Sequence, residues 1–250
     1  MLDCCIVFLH HQNTWTAELH RRLLQELNPY PVVSVYRGAG RSLSGAIQLC
    51  RLAPERLTED AWASADAALV VWFRNRGFNA HRYVFLEWDA LATAPVSDYY
   101  HEVWDCDVAA TNVLKPDTDA SWHWFNQIDK LPPELRGDAA GLMPFNGLLL
   151  SHRALTALAE ATLPLNVNCE LRTGTILNAH GFLLSQMPDH RRATNSWHPD
   201  LRRCSFGEPG IYHPVKESVL TSDDLAGGIS AALGRLKAMP VASSSRKGDS

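Results

Sequence analysis

The sequence predicts one α/β domain, a mainly parallel central sheet flanked by helices. Three observations carry this reading. Short continuous apolar runs such as Cys4–Leu9 have the length and composition of strands buried on both faces. These runs alternate with stretches of helical periodicity, the pattern of successive βαβ units. The chain has 250 residues, 46% hydrophobic and 20% charged, enough to bury a core without disulfide or metal staples.

The elements follow in order. Cys4–Leu9 is the first strand. Thr14 or Thr16 can cap a helix over Ala17–Leu27, where Leu19, Leu23, Leu24 and Leu27 fall at helical spacing and Asn28-Pro29 ends the run. Val32–Tyr36 is a β-branched second strand, Arg37-Gly38-Ala39-Gly40 a turn, and Leu43–Leu52 a helix. A helix-like segment around Trp62 precedes a third strand, Ala67–Phe73. Asn79–Tyr83 leads into a fourth, Tyr83–Leu86, and Val108–Thr111 suggests a fifth. Gly147–Leu150 reads as a strand followed by a helix over Arg153–Thr162, and Leu171–Asn178 as another helix. Prolines at 132, 133, 144, 164, 188, 199, 209 and 214 make the second half more irregular. There is no internal repeat and no linker rich enough to divide the chain. The domain is expected to span 1–220, with 221–250 forming a C-terminal helix, around Asp223–Leu236, and a disordered polar tail.

Composition excludes several functions. A net charge of -4 provides no broad basic field, so a nucleic-acid partner is not expected. The six cysteines form no CxxC and no zinc-finger spacing, and they read as reduced thiols in a cytoplasmic compartment. Asp3 precedes the first apolar run and His10-His11-Gln12 ends it, unlike a signal peptide. No stretch approaches the roughly 20 apolar residues of a transmembrane segment. The patterns GxxxxGK[ST], GxSxG and HExxH are absent. Gly38-Ala39-Gly40 is half of a dinucleotide fingerprint, with Leu43 in place of the third glycine.

The most informative segment is Arg82-Tyr83-Val84-Phe85-Leu86-Glu87-Trp88-Asp89. Strand side chains alternate, so Glu87 and Asp89 project to one side and Trp88 to the other. Ligands of open α/β sheets bind outside the carboxyl ends of the strands. Two carboxylates there can share one hard divalent cation, which in turn binds phosphate oxygens. A solvated acidic turn at a strand end is the other reading of the same spacing.

Further segments extend the pattern. They are Asn75-Arg76-Gly77-Phe78-Asn79 upstream, then Gly141-Leu142-Met143-Pro144-Phe145-Asn146-Gly147-Leu148-Leu149-Leu150, Asn168-Cys169-Glu170-Leu171-Arg172-Thr173-Gly174-Thr175 and Tyr212-His213-Pro214-Val215-Lys216. Taken in this order over about residues 3–217, the chain resembles the GT-A fold glycosyltransferases, the nucleotide-diphospho-sugar transferase superfamily. The resemblance implies a GT-A-like (Rossmann-like) sheet and metal-dependent transfer of a sugar from a nucleotide-diphospho-sugar donor to a glycan or other hydroxyl acceptor. It implies Mn²⁺ or Mg²⁺ held by Glu87, Asp89 and His213, with Lys216 at the donor diphosphate. It implies Asn146 and Gly147 as donor-side residues and Glu170 as the base of an inverting reaction. Asp66 is expected either to contact the donor or to cap a helix.

The chain departs from the superfamily pattern in two places. Glu stands first in the metal motif, and Tyr36-Arg37-Gly38 offers no acid for the nucleotide base. Glu170 also reads as an acid favoured by a helix N-terminus. Trp122-His123-Trp124-Phe125 reads as an acceptor platform or as core packing. Two other functions stay open. A nucleotidyltransferase would lack its Gly-rich basic loop after the first strand, where His10-His11-Gln12-Asn13 stands. A degenerate transferase fold would bind a glycan or a partner without activity.

Overall fold

The computed structural model describes residues 1–11, 14–38, 42–49, 62–192, 194–195, 210–215 and 234. The expected C-terminal helix and tail of 221–250 lie outside these, apart from Gly234. In chain order the elements are β1 (Leu2–His10), α1 (Trp15–Leu27), β2 (Val32–Tyr36), β3 (Ile47–Gln48), α2 (Ala65–Arg76) and β4 (Ala80–Glu87). They continue with β5 (Leu91–Ala92), α3 (Val96–Tyr99), β6 (Val108–Ala110), β7 (Asn112–Leu114), β8 (Gly141–Met143) and β9 (Leu148–Ser151). The last are α4 (His152–Glu160), α5 (Cys169–Ala179), β10 (Leu184–Gln186), α6 (Asp189–Arg192) and β11 (Ile211–Tyr212).

Among the described residues, seven strands form the central sheet in the order β10-β6-β9-β4-β1-β2-β3. All its pairings are parallel except the two made by β9. From β1 the chain steps to β2 and β3 on one side, then returns to β4 on the other. The strand order therefore reverses between β1 and β4. That reversal opens a crevice at their carboxyl ends, where open α/β sheets bind ligands.

Alternation builds a three-layer core. Cys5, Val7 and Leu9 of β1, with Tyr83 and Phe85 of β4, face Leu69 and Trp72 of α2, Leu155 of α4 and Ile176 of α5. Cys4, Ile6 and Phe8, with Val84 and Leu86, face Ala17 and Leu24 of α1 and Val96 of α3. Both faces of the central strands are covered, which is why their sequence is continuously apolar. Thr14 caps α1 through the Ala17 N–H at 3.1 Å. Asn28 ends that helix, donating to the Leu24 carbonyl at 2.8 Å and accepting from the Val96 N–H at 2.8 Å.

Two expected elements differ. Ala67–Phe73 lies in α2, not in a third strand. Its run has no polar residue to mark a period, and a helix buried on most sides reads like a buried strand. Of the expected helix Leu43–Leu52, Ile47–Gln48 pairs with β2 as an edge strand, and 50–52 lie outside the described residues. Among the described residues, no helix is long and apolar enough to cross a membrane.

Candidate functional site

β4 ends at Glu87 in the crevice, paired in register with Leu9 of β1. Trp88 and Asp89 then turn, with the Ala90 N–H closing on the Glu87 carbonyl at 3.0 Å. A distant segment comes back onto this turn. β11 pairs antiparallel with β5, the Val215 N–H donates to the Asp89 carbonyl at 2.7 Å, and His213 is thereby carried to the two acids.

His213 Nε2 lies 3.5 Å from Asp89 Oδ1 and 4.0 Å from Glu87 Oε2. One ligand atom from each of the three residues falls within 4.8 Å of the others. Asp89 and His213 are buried and Glu87 is half-buried, so the cluster is recessed with its opening on the Glu87 side. Two carboxylates this close repel each other, and a divalent cation relieves that repulsion. Two carboxylates and an imidazole suit Mn²⁺ or Mg²⁺ with open positions left for phosphate or water. The donor set therefore fits the cation that the sequence implies.

A second layer holds the first. The Glu87 N–H donates to Asn146 Oδ1 at 2.8 Å. Asn146 sits between β8 and β9 and is fully buried. The Gly147 N–H donates to the Phe85 carbonyl at 2.9 Å, and the Tyr100 hydroxyl donates to the Gly147 carbonyl at 2.8 Å. On the other side of the turn, His20 Nδ1 lies 2.9 Å from the Trp88 carbonyl. Full burial pushes the His20 imidazole down to about 4, so it is neutral with its proton on Nδ1.

Asn146 and Gly147 thus stand behind the carboxylates, with their polar groups engaged by protein. Asp66 is set apart in a different way. It is fully buried at the start of α2 and accepts from Arg172 Nε at 2.6 Å, from Arg172 Nη2 and from Thr173 Oγ1 at 3.1 Å. That ion pair joins α2 to α5 and leaves the carboxylate no face for a ligand. Glu170 lies in the first turn of α5, 3% exposed, with Oε1 accepting the Phe145 N–H at 3.0 Å. It is therefore tied to the residue that precedes Asn146. Lys216 lies outside the described residues.

The fold is similar to that of solved glycosyltransferases. The galactosyltransferase LgtC, solved in complex with donor and acceptor sugar analogues, aligns with 94% of this chain and 97% of its own, at 12% identity and a TM-score of 0.48. Mouse xyloside xylosyltransferase 1 in its apo form aligns with 76% of this chain and 86% of its own, at 12% identity and a TM-score of 0.38. No family model and no curated protein matches the chain.

Other expected residues take quieter positions. Trp122 is buried against Leu131, Val167 and Leu171 in a small cluster of its own, while Trp124 and Phe125 pack half-buried at its edge. Core packing is thus the part Trp122 plays. Cys4 and Cys5 are buried in β1, and burial pushes both thiols up to about 12, out of the reactive range. Sequence reasoning missed His20, Thr111 and Asn195. His20 carried a usable signal, a histidine on the apolar stripe with Leu19, Leu23 and Leu24. Thr111 and Asn195 carried none, because their partners are remote in sequence.

Proposed function

We infer that this chain is a metal-dependent glycosyltransferase with a GT-A-like architecture. It transfers a sugar from a nucleotide-diphospho-sugar to an acceptor hydroxyl, with inversion. The observation that carries this reading is the meeting of Glu87, Asp89 and His213 at the crevice between β1 and β4. A cation cluster at a topological switch point is suited to holding a diphosphate.

When bound, the divalent ion supplies positive charge against the negative charge developing on the leaving diphosphate. Asp89, His213 and Glu87 would hold the ion. Lys216 follows Val215 directly in the chain and adds a point charge for the diphosphate. Glu170 accepts the proton of the acceptor hydroxyl as it attacks. Asn146 and Gly147 shape the floor behind Glu87 on the donor side of the site. Asp66 serves the fold through Arg172.

The test is donor turnover by purified protein with UDP-, GDP- and dTDP-sugars, each with and without Mn²⁺ or Mg²⁺. One nucleotide class is expected to be consumed only with metal. Asp89→Ala is expected to abolish the metal-stimulated rate while the protein stays folded by circular dichroism. Glu170→Gln is expected to retain donor binding and lose transfer. Full metal-stimulated activity in Asp89→Ala would overturn the metal assignment. Folded wild-type protein that binds a donor but never turns it over would favour a binding protein.

A further inference from the structure

The three residues of the cluster come from two parts of the chain, the end of β4 with the turn that follows it, and the residue after β11. Asn195 is linked to both parts, to the second directly and to the first through Asn146. Asn195 is fully buried and forms an isolated parallel bridge with His213, and the His213 N–H donates to the neighbouring Thr194 carbonyl at 3.1 Å. Its backbone therefore fixes the segment that carries the imidazole.

Its side chain reaches the other part through Asn146. Asn195 Oδ1 accepts from Asn146 Nδ2 at 3.2 Å. Asn195 Nδ2 donates to the Asn146 carbonyl at 3.2 Å and to Thr111 Oγ1 at 2.8 Å. Asn146 in turn accepts the Glu87 N–H at 2.8 Å. The chain of bonds runs from the backbone of Glu87 through two amides to the backbone of His213. Asn195, Asn146 and Thr111 are all fully buried, so each lost bond leaves a polar group with no water to replace its partner.

We propose that Asn195 is a positioning residue of the cation site, setting the distance between Glu87 and His213 through the buried amide pair with Asn146. The inference rests on the cation reading given above. A simple structural role is a weaker account, because the bonds converge on the two backbones that carry ligands. Outer residues that orient ligands typically change metal affinity by about 10- to 100-fold when removed.

The experiment measures Mn²⁺ affinity by electron paramagnetic resonance titration of free Mn²⁺, alongside urea denaturation without metal. The proteins are wild type, Asp89→Asn, Asn195→Leu, Thr111→Val and Thr111→Ser. Leucine matches asparagine in size and adds no charge. Wild type is expected to bind and Asp89→Asn to lose binding. Asn195→Leu is expected to weaken binding by about 10- to 100-fold. Thr111→Val, which removes the acceptor of Asn195 Nδ2, is expected to weaken it less, and Thr111→Ser to restore wild-type affinity. Denaturation midpoints that fall while Mn²⁺ affinity stays at the wild-type value would overturn the positioning role. Should Asn195→Leu fail to fold, equal affinities of Thr111→Val and Thr111→Ser would overturn it. Absence of Mn²⁺ binding by folded wild type would overturn the cation reading itself, and this inference with it.

Discussion

Gly147 is the position beside the site where the backbone itself excludes a side chain. Its φ is +79°, and a Cβ there would fall on Asn195 Nδ2 and crowd the Tyr100 hydroxyl. Both the conformation and the space require glycine. Gly147→Ala is expected to destabilise the protein by about 2 kcal/mol or more, from left-handed strain together with overpacking. Urea denaturation measures this, and an unchanged midpoint would sink the argument. His20 supports a second prediction at this scale. Burial holds its imidazole at about 4 in the folded protein, against 6.5 for the ordinary group. Between those values the unfolded chain binds a proton at His20 that the folded chain refuses. Stability from this group is therefore complete above pH 6.5 and is lost as pH falls toward 4, by about 3 kcal/mol in total. His20→Asn keeps a donor for the Trp88 carbonyl and does not titrate. Its unfolding free energy should fall less steeply than wild type between pH 6.5 and 4.5, and parallel slopes would refute the assignment. At this scale the sequence was readable where chemistry is local. Glu87 and Asp89 declare themselves by their spacing at the end of one apolar run. Asn195 does not, because its meaning lies in a partner 49 residues away.

The elements were legible where their environment is two-sided or amphipathic, and less so where it is buried all round. β1 and β4 read correctly because alternate residues of their central runs, Cys4–Leu9 and Tyr83–Leu86, meet different layers, yet every residue in those runs is apolar. α1 read correctly because its leucines make one stripe and Thr14 and Asn28 mark its ends. α2 did not, since Ala67–Phe73 offers only apolar residues and lies between the sheet, α4 and α5. The two-residue strands β5 and β11 have no local signature, although their pairing is what delivers His213. A buried ion pair also ties α2 to α5. Asp66 and Arg172 are both fully buried, and Arg172 also donates to the Val167 carbonyl. Removing one partner leaves a buried charge uncompensated. Asp66→Asn is therefore expected to cost about 3–5 kcal/mol. Replacing both by apolar residues, Asp66→Leu with Arg172→Met, should cost clearly less than the sum of the single changes. Chemical denaturation of the four proteins gives the coupling directly, and strict additivity would show that the pair is not acting as a unit.

At the scale of the whole molecule, the site exists because the chain reverses direction across the sheet. The step from β3 back to β4 leaves the crevice beside β1, and the return of 210–215 onto the β4 turn brings His213 to Glu87 and Asp89. A pattern of apolar runs shows that a parallel sheet forms, but not the order of its strands or which late segment closes on which turn. Those depend on pairings between residues such as Tyr212 and Leu91, 121 positions apart by number. On the proposed reading, a cation held there would bridge early and late parts of the fold, so its binding should stabilise the domain as a whole. A ligand that binds only the native state contributes about 2.7 kcal/mol at a concentration 100 times its Kd. For a domain of 150–250 residues each kcal/mol moves the thermal midpoint by about 2–4 °C. Metal-stripped protein is therefore expected to gain roughly 5–10 °C in Tm at saturating Mn²⁺. Glu87→Gln with Asp89→Asn should raise the metal-free midpoint slightly, since the repulsion between the carboxylates is gone, and should abolish the Mn²⁺-dependent gain. A double variant that kept the full gain would place the cation elsewhere and separate metal binding from the crevice between β1 and β4.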